Sequence, residues 1–231
     1  MSVVPDGVVN PLVRLVVFDM IGTTVQATDA VPRAFAEALA PEGVTVDAGM
    51  MTRVRGLNKR AAIEALVPAG TDHAARAEAA FRRFVVGLVE AYKPGRLAPV
   101  AGATDVITRC RAAGVRVALN TGFDRPLTTH ILMRLRWKRL ADAVVCGDDV
   151  AEGRPAPFLI YRAMERTGVI DVARVVVVGD TTADLEAGHH ARAGWNIGVW
   201  SGAHDRSRLE HAPHTHLCPS VADVPAILGI P

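Results

Sequence analysis

Short runs of aliphatic and β-branched residues, each cut off by Gly, Asp, Thr or Asn, recur through most of this chain and predict buried parallel strands. The first covers 12–18, and Asp19 stands at its carboxyl end, where Gly22 and two threonines force a loop. From about 26 to 96 these runs vanish and alanine-rich helical spacing takes over. It predicts helices over 32–39, 47–54, 58–67 and 71–92, with Asn58 and Thr71 as N-caps and Pro94-Gly95 ending the last. From 97 onward strands and helices alternate. Strands are predicted over 116–120, 143–146, 174–178 and 195–200. Helices are predicted over 104–113, 125–135 and 182–193, with one reaching Thr167 after a turn-rich loop and one capped by Ser220 that ends near Gly229. Alternation of this kind specifies an α/β fold, a parallel sheet with helices on both faces. The expected division is a core of 1–25 with 97–231 and a helical insert of 26–96. About 70 helical residues bury only a marginal core alone, so the insert should pack over the strand edge as a lid.

Bulk properties narrow the class. The chain has 231 residues, half of them hydrophobic, which suits one large globular domain or two modest ones. Its 26 basic and 24 acidic side chains are spread without a basic block, so nucleic acid is not an expected partner. Cys110, Cys146 and Cys218 form no Cys-x-x-Cys pair, which points to a reducing compartment. No apolar run nears the ~20 residues of a membrane span, and the N-terminus has no charged-then-apolar leader; a cytoplasmic location and no membrane partner are expected. Only Lys59, Lys93 and Lys138 are lysines, the other basic residues being arginine. A lysine here raises the question of what an amine does that a guanidinium cannot.

Four predicted strand-end loops carry the polar groups Asp19, Thr121, Arg154, and Asp180 with Asp184. In open α/β sheets ligands bind at that edge. Each group also has a plainer explanation: Asp19 as a turn residue in Asp-x-x-Gly, Asp180 and Asp184 as acidic residues at a helix N-terminus. Capping leaves Asp19 unexplained, whereas carboxylates one turn apart can reach a common point and offer the hard oxygen ligands that suit Mg2+.

In this order the motifs resemble the haloacid dehalogenase superfamily over nearly the whole chain, which implies a Rossmann-like core with an inserted helical cap. The resemblance makes Asp19 the nucleophile that becomes an aspartyl phosphate. Thr121 would hold phosphoryl oxygen, with Gly22, Thr23 and Gly122 beside it in the substrate site, and Arg154 would neutralise developing charge. Asp19, Asp180, Asp184 and the backbone carbonyl of Ile21 would hold Mg2+. Ile21 departs from the pattern, because most phosphatases of the superfamily carry an aspartate there as acid and base. That help is worth roughly 100- to 10,000-fold in rate, and isoleucine cannot give it.

The phosphonatase-like branch of the superfamily lacks that aspartate too. Its Asp-x-Ala-Gly-Thr-Thr resembles Asp19-Met20-Ile21-Gly22-Thr23-Thr24, and its arginine motif resembles Gly153-Arg154-Pro155-x-Pro157. Two further stretches match, Gly179-Asp180-Thr181 and Ser201-Gly202-Ala203-His204. A cap lysine in Gly-x-x-Lys is matched by Gly56-Leu57-Asn58-Lys59. The implied activity is Mg2+-dependent cleavage of the carbon–phosphorus bond of phosphonoacetaldehyde or a close 2-oxoethylphosphonate analogue, a step in phosphonate breakdown. Breaking that bond leaves electrons on carbon, and a Lys59 Schiff base would accept them; arginine forms no such adduct. A lysine with the ordinary pKa of ~10.4 is neutral in only about one molecule in 2,500 at pH 7, so Lys59 must be desolvated or near another cation. Its plainer reading is an exposed lysine at a helix start. Arg55 is expected to contact the substrate. Ala62 and Phe123 replace a histidine and a tyrosine of the branch. The resemblance further implies a small phosphonate or phosphate as partner and a homodimer. Two other functions fit the residues: a phosphomonoesterase with another proton donor, and a non-catalytic binding relative.

Overall fold

The computed structural model describes residues 12–54 and 57–231. Six strands form one sheet: β1 (Leu15–Asp19), β2 (Arg116–Asn120), β3 (Ala143–Val145), β4 (Val175–Gly179), β5 (Trp195–Val199) and β6 (His216–Cys218). Their order is β3-β2-β1-β4-β5-β6 and every pairing is parallel. Every residue of β1 and of β4 is buried, as strands covered on both faces require. Side chains alternate across the sheet, so Val16 and Phe18 enter one buried cluster while Leu15 and Val17 enter another.

Between β1 and β2 lie α1 (Ala30–Leu39), α2 (Ala48–Val54), α3 (Lys59–Leu66) and α4 (His73–Ala91). This helical segment leaves and rejoins the sheet side by side, for Gln26 N–H donates to the Ala98 carbonyl and Val100 N–H to that of Thr24, both at 2.9 Å. Its core is not its own. Phe35 of α1 packs on Phe84 of α4 with ring centroids 4.7 Å apart, and Phe84 lies 6.4 Å from Phe123 in the loop after β2. All three belong to the same buried cluster as Phe18, so the helices obtain from the sheet the apolar surface they lack by themselves.

The rest of the chain supplies α5 (Ala103–Ala112), α6 (Arg125–Arg134), α7 (Phe158–Thr167), α8 (Thr182–Ala191), α9 (Arg206–Glu210) and α10 (Val224–Leu228). Leu159, Ile160 and Ala163 of α7 cover the Leu15 and Val17 face; Val106, Ile107 and Cys110 of α5 belong to the opposite cluster. All three cysteines are free and buried. No described helix is long and apolar enough to cross a membrane.

Three local expectations need correction. The first strand begins at Leu15, and Leu12 is exposed. The N-cap of α4 is Asp72 in left-handed geometry, not Thr71, and it makes no side-chain cap bond; α4 is held by its buried Phe81, Phe84 and Leu88 instead. Ser220 caps a single 3-10 turn that leads into α10. Sequence periodicity also missed β6 and α9, of three and five residues, which are too short to display a period.

Candidate active site

Chain order runs outward from β1 through β2 to β3, then returns to β4 on the other side of β1. That reversal opens the crevice where ligands bind in such sheets. Asp19 ends β1 beside Asn120, the last residue of β2, so Thr121 follows at the same edge; Asp180 follows β4 there too. The loop after Asp19 is tight, with Thr24 and Val25 N–H groups donating to the Met20 carbonyl at 2.9 and 2.7 Å. Gly22 has φ +102°, and a Cβ on it would fall 2.1 Å from Asp180 Oδ2. Glycine is needed there both for its conformation and to admit the second carboxylate.

Asp180 is clamped from two loops. Thr23 Oγ1 donates to its Oδ1 at 2.9 Å and Ala203 N–H to its Oδ2 at 2.6 Å. The Ser201-to-His204 stretch thereby acquires a role, since His204 Nδ1 also accepts the first amide of α8, that of Thr182, at 3.1 Å. Asp184 sits in a capping box, its Oδ2 accepting from Thr181 N–H at 3.1 Å and from the Thr181 hydroxyl. Its Oδ1 meets Arg154 Nη1, which also donates to Asp19 Oδ1 at 2.6 Å. Arg154 is buried, and its Nε has no acceptor among the described residues. A phosphoryl oxygen would satisfy that donor.

Carboxylate oxygens of Asp19, Asp180 and Asp184 lie within 4.8 Å of one another, all three residues being buried. Burial, opposed by Arg154 and aided by the charge on Asp184, raises the pKa of Asp19 to about 6. Burial, then the charges of Asp19 and Asp184, raises that of Asp180 well above the usual range. Burial opposes the charge on Arg154, but Asp184 and Asp19 hold it protonated. Three carboxylates thus face two cations, Arg154 and Lys59. Hard oxygen donors with that surplus of negative charge fit Mg2+, which would be held by Asp19, Asp180 and Asp184.

Lys59 opens α3 and is 8% exposed. Its ammonium donates to the Leu57 carbonyl at 2.8 Å and lies 6.0 Å from the centre of the Phe123 ring. Burial first, then the positive charge of Arg154, lowers its pKa to about 8 against the pull of the three carboxylates. Lys59 shares with Asp19, Ile21, Thr121, Gly122 and Arg154 the lining of one cavity of about 90 Å³. Gly22, Thr23, Asp180 and Asp184 are not lining residues; they build and brace the carboxylate cluster. Arg55 and Gly56 lie outside the described residues. Sequence reasoning missed the apolar wall of the cavity, made by Val31, Phe35, Met51 and Val54 with Phe123. Their spacing of three or four on α1 and α2 was visible, but it marks a buried face without saying what that face covers.

A family model described as haloacid dehalogenase-like hydrolase matches residues 13–192. Phosphonoacetaldehyde hydrolase of Syntrophobacter fumaroxidans is 31% identical over 214 residues, 86% of this chain and 76% of that protein. The protein of that name from Bacteroides fragilis is 26% identical over 219 residues, 87% of this chain and 81% of its own length. A crystal structure of a phosphonoacetaldehyde hydrolase-like protein from Oleispira antarctica superposes with a TM-score of 0.83 at 20% identity, covering 99% of this chain and 95% of that one. That structural likeness establishes a shared fold.

Proposed function

The chain belongs to the haloacid dehalogenase-like hydrolases, and from that premise we propose that it cleaves the carbon–phosphorus bond of phosphonoacetaldehyde or a close 2-oxoethylphosphonate analogue. The observation that carries this reading is that Lys59, buried and with its pKa lowered to about 8, lines the same cavity as Asp19. In this reading helices α1–α4 are the cap and 12–25 with 97–231 the core, residues 1–11 of the expected core lying outside the described residues. At a pKa near 8, roughly one Lys59 in ten is neutral at pH 7, against about one in 2,500 for an ordinary lysine. The names of the curated relatives agree with the reading.

The neutral Lys59 Nζ adds to the substrate carbonyl carbon, one proton is taken up from solvent and water leaves, giving a protonated imine. An Asp19 oxygen attacks phosphorus. The electrons of the breaking carbon–phosphorus bond move onto carbon and into the imine, forming a neutral enamine and an aspartyl phosphate. Protonation of the enamine carbon and addition of water release acetaldehyde and restore Lys59; a second water hydrolyses the aspartyl phosphate to inorganic phosphate. Arg154 positions the Asp19 carboxylate and offers Nε–H to a phosphoryl oxygen. Asp19, Asp180 and Asp184 would hold Mg2+, whose charge would offset the negative charge that gathers on the phosphoryl group. Because the carbon leaving group is handled by the imine, no carboxylic acid is required at Ile21. Among the described lining residues Asp19 is the one carboxylate, which leaves an ester-cleaving enzyme without an obvious acid.

Phosphonoacetaldehyde should release inorganic phosphate, and borohydride added during turnover should inactivate the enzyme and mark Lys59. Lys59→Arg should abolish both. If Lys59→Arg turns over a phosphate ester at the wild-type rate while phosphonoacetaldehyde is left intact by the wild type, the protein is a phosphomonoesterase instead.

A further inference from the structure

Asn58 uses its two amide atoms for different purposes. Oδ1 accepts from Arg60 and Ala61 N–H at 3.0 and 3.1 Å, capping α3. Nδ2 reaches out of the helical segment and donates to the Gly147 carbonyl at 2.9 Å, 89 residues along the chain. Capping needs the oxygen alone, so the second bond calls for its own explanation.

The receiving surface consists of three glycines, Gly122 from the loop after β2 and Gly147 and Gly153 from the connection between β3 and α7. A Cβ on Gly147 would lie 2.8 Å from Asn58 Nδ2, one on Gly153 would lie 3.0 Å from Asn58 Cβ, and one on Gly122 would lie 2.3 Å from the Leu57 carbonyl oxygen. None of these glycines has positive φ, so space rather than backbone conformation demands them. Lys59 N–H completes the seat by donating to the Gly122 carbonyl at 3.1 Å. Gly122 follows Thr121 and Gly153 precedes Arg154. The seat therefore touches the loops that carry two of the groups facing the cavity, and it ends at the residue that supplies the third.

We propose that Asn58 is a positioning residue whose Nδ2 bond to Gly147 latches the helical segment onto the sheet edge and thereby holds Lys59 in the cavity opposite Asp19. What Lys59 does there rests on the carbon–phosphorus reading above; the latch does not.

Asn58→Asp separates the two purposes, because aspartate caps a helix as well as asparagine but presents an acceptor, not a donor, to the Gly147 carbonyl. Asn58→Ser also keeps a capping oxygen but has no donor long enough to reach the Gly147 carbonyl, and it removes the same contact without introducing a charge. Both variants should keep a thermal midpoint near that of the wild type. Both should speed deuterium exchange in peptides spanning 57–66 and 145–154. Both should lower kcat/KM for phosphonoacetaldehyde and the rate of borohydride trapping at Lys59 by roughly 5- to 50-fold, the usual worth of one such hydrogen bond with a misplaced partner. Wild-type exchange in both peptides overturns the proposal, as does faster exchange with wild-type trapping and turnover. If the wild type itself is never trapped, the carbon–phosphorus reading fails, and the exchange data alone decide whether the latch exists.

Discussion

Lys59 shows how a single side chain sets stability against activity. With its pKa lowered from 10.5 to about 8, keeping its amine charged in the folded state costs about 3 kcal/mol. The folded value lies below the unfolded one. The whole cost is therefore present below about pH 8, and it fades as pH rises from about 8 to 10.5, where only the unfolded chain still binds the proton. Lys59→Met should accordingly be more stable than wild type at pH 7, by about 2 kcal/mol once loss of the bond to the Leu57 carbonyl is counted, with the gap closing above pH 8. Urea denaturation at pH 7 and pH 10 would measure it. The same variant should have no carbon–phosphorus activity. In the wild type kcat/KM should rise with pH, reach half its plateau near pH 8 and level off above it, because the neutral amine attacks. Lysine scarcity and the Gly-x-x-Lys spacing made this residue visible in the sequence. The reach of Asn58 to Gly147 was not visible, since no local pattern encodes a partner 89 residues away.

The N-terminus of α8 and the loop after β5 act together on Asp180 and Asp184. Capping and membership of the carboxylate cluster, opposed as explanations when only the sequence is considered, are compatible here: Asp184 gives Oδ2 to the capping box and Oδ1 to Arg154, and its carboxylate still lies within 4.8 Å of those of Asp19 and Asp180. Asp180 lies between Gly22 and Gly202, where a Cβ on Gly202 would come within 2.2 Å of Asp180 Oδ2. Gly202 has no positive φ, so Gly202→Ala is a purely steric displacement of that carboxylate. It should weaken Mg2+ binding by roughly 10- to 100-fold, the usual effect of disturbing the supports of a ligand, and isothermal titration of the variant would show it. Undiminished affinity would remove Asp180 from the ligand set. Gly202 was legible only as part of a matching stretch. Its neighbour across the loop became apparent once β4 and β5 lay side by side.

For the molecule as a whole, buried charge at the sheet edge would couple folding to a cation bound there. Three carboxylates against Arg154 and Lys59 leave an electrostatic deficit that a divalent ion would relieve. Mg2+ at 100 times its dissociation constant should add about 2.7 kcal/mol, which for a chain of this size raises the thermal midpoint by roughly 5 to 10 °C. Asp180→Asn should lose most of that response while unfolding no earlier than wild type in the presence of a chelator, since it removes one of three like charges. A midpoint indifferent to Mg2+ in the wild type would count against the cation site.

The alternation of strands with helices, the helical character of 26–96, and the placing of Asp19, Thr121 and Asp180 at strand ends, Arg154 in the loop after a strand and Asp184 in the first turn of a helix were written in the chain itself. Periodicity, turn residues and capping are matters between neighbours a few positions apart. Strand order, the burial of Lys59, the glycine seat beneath Asn58 and the apolar wall from α1 and α2 belong to the folded molecule alone. Each depends on surfaces separated by tens of residues or more meeting and excluding water, and only that meeting turns a surface-type amine into a buried one with a lowered pKa.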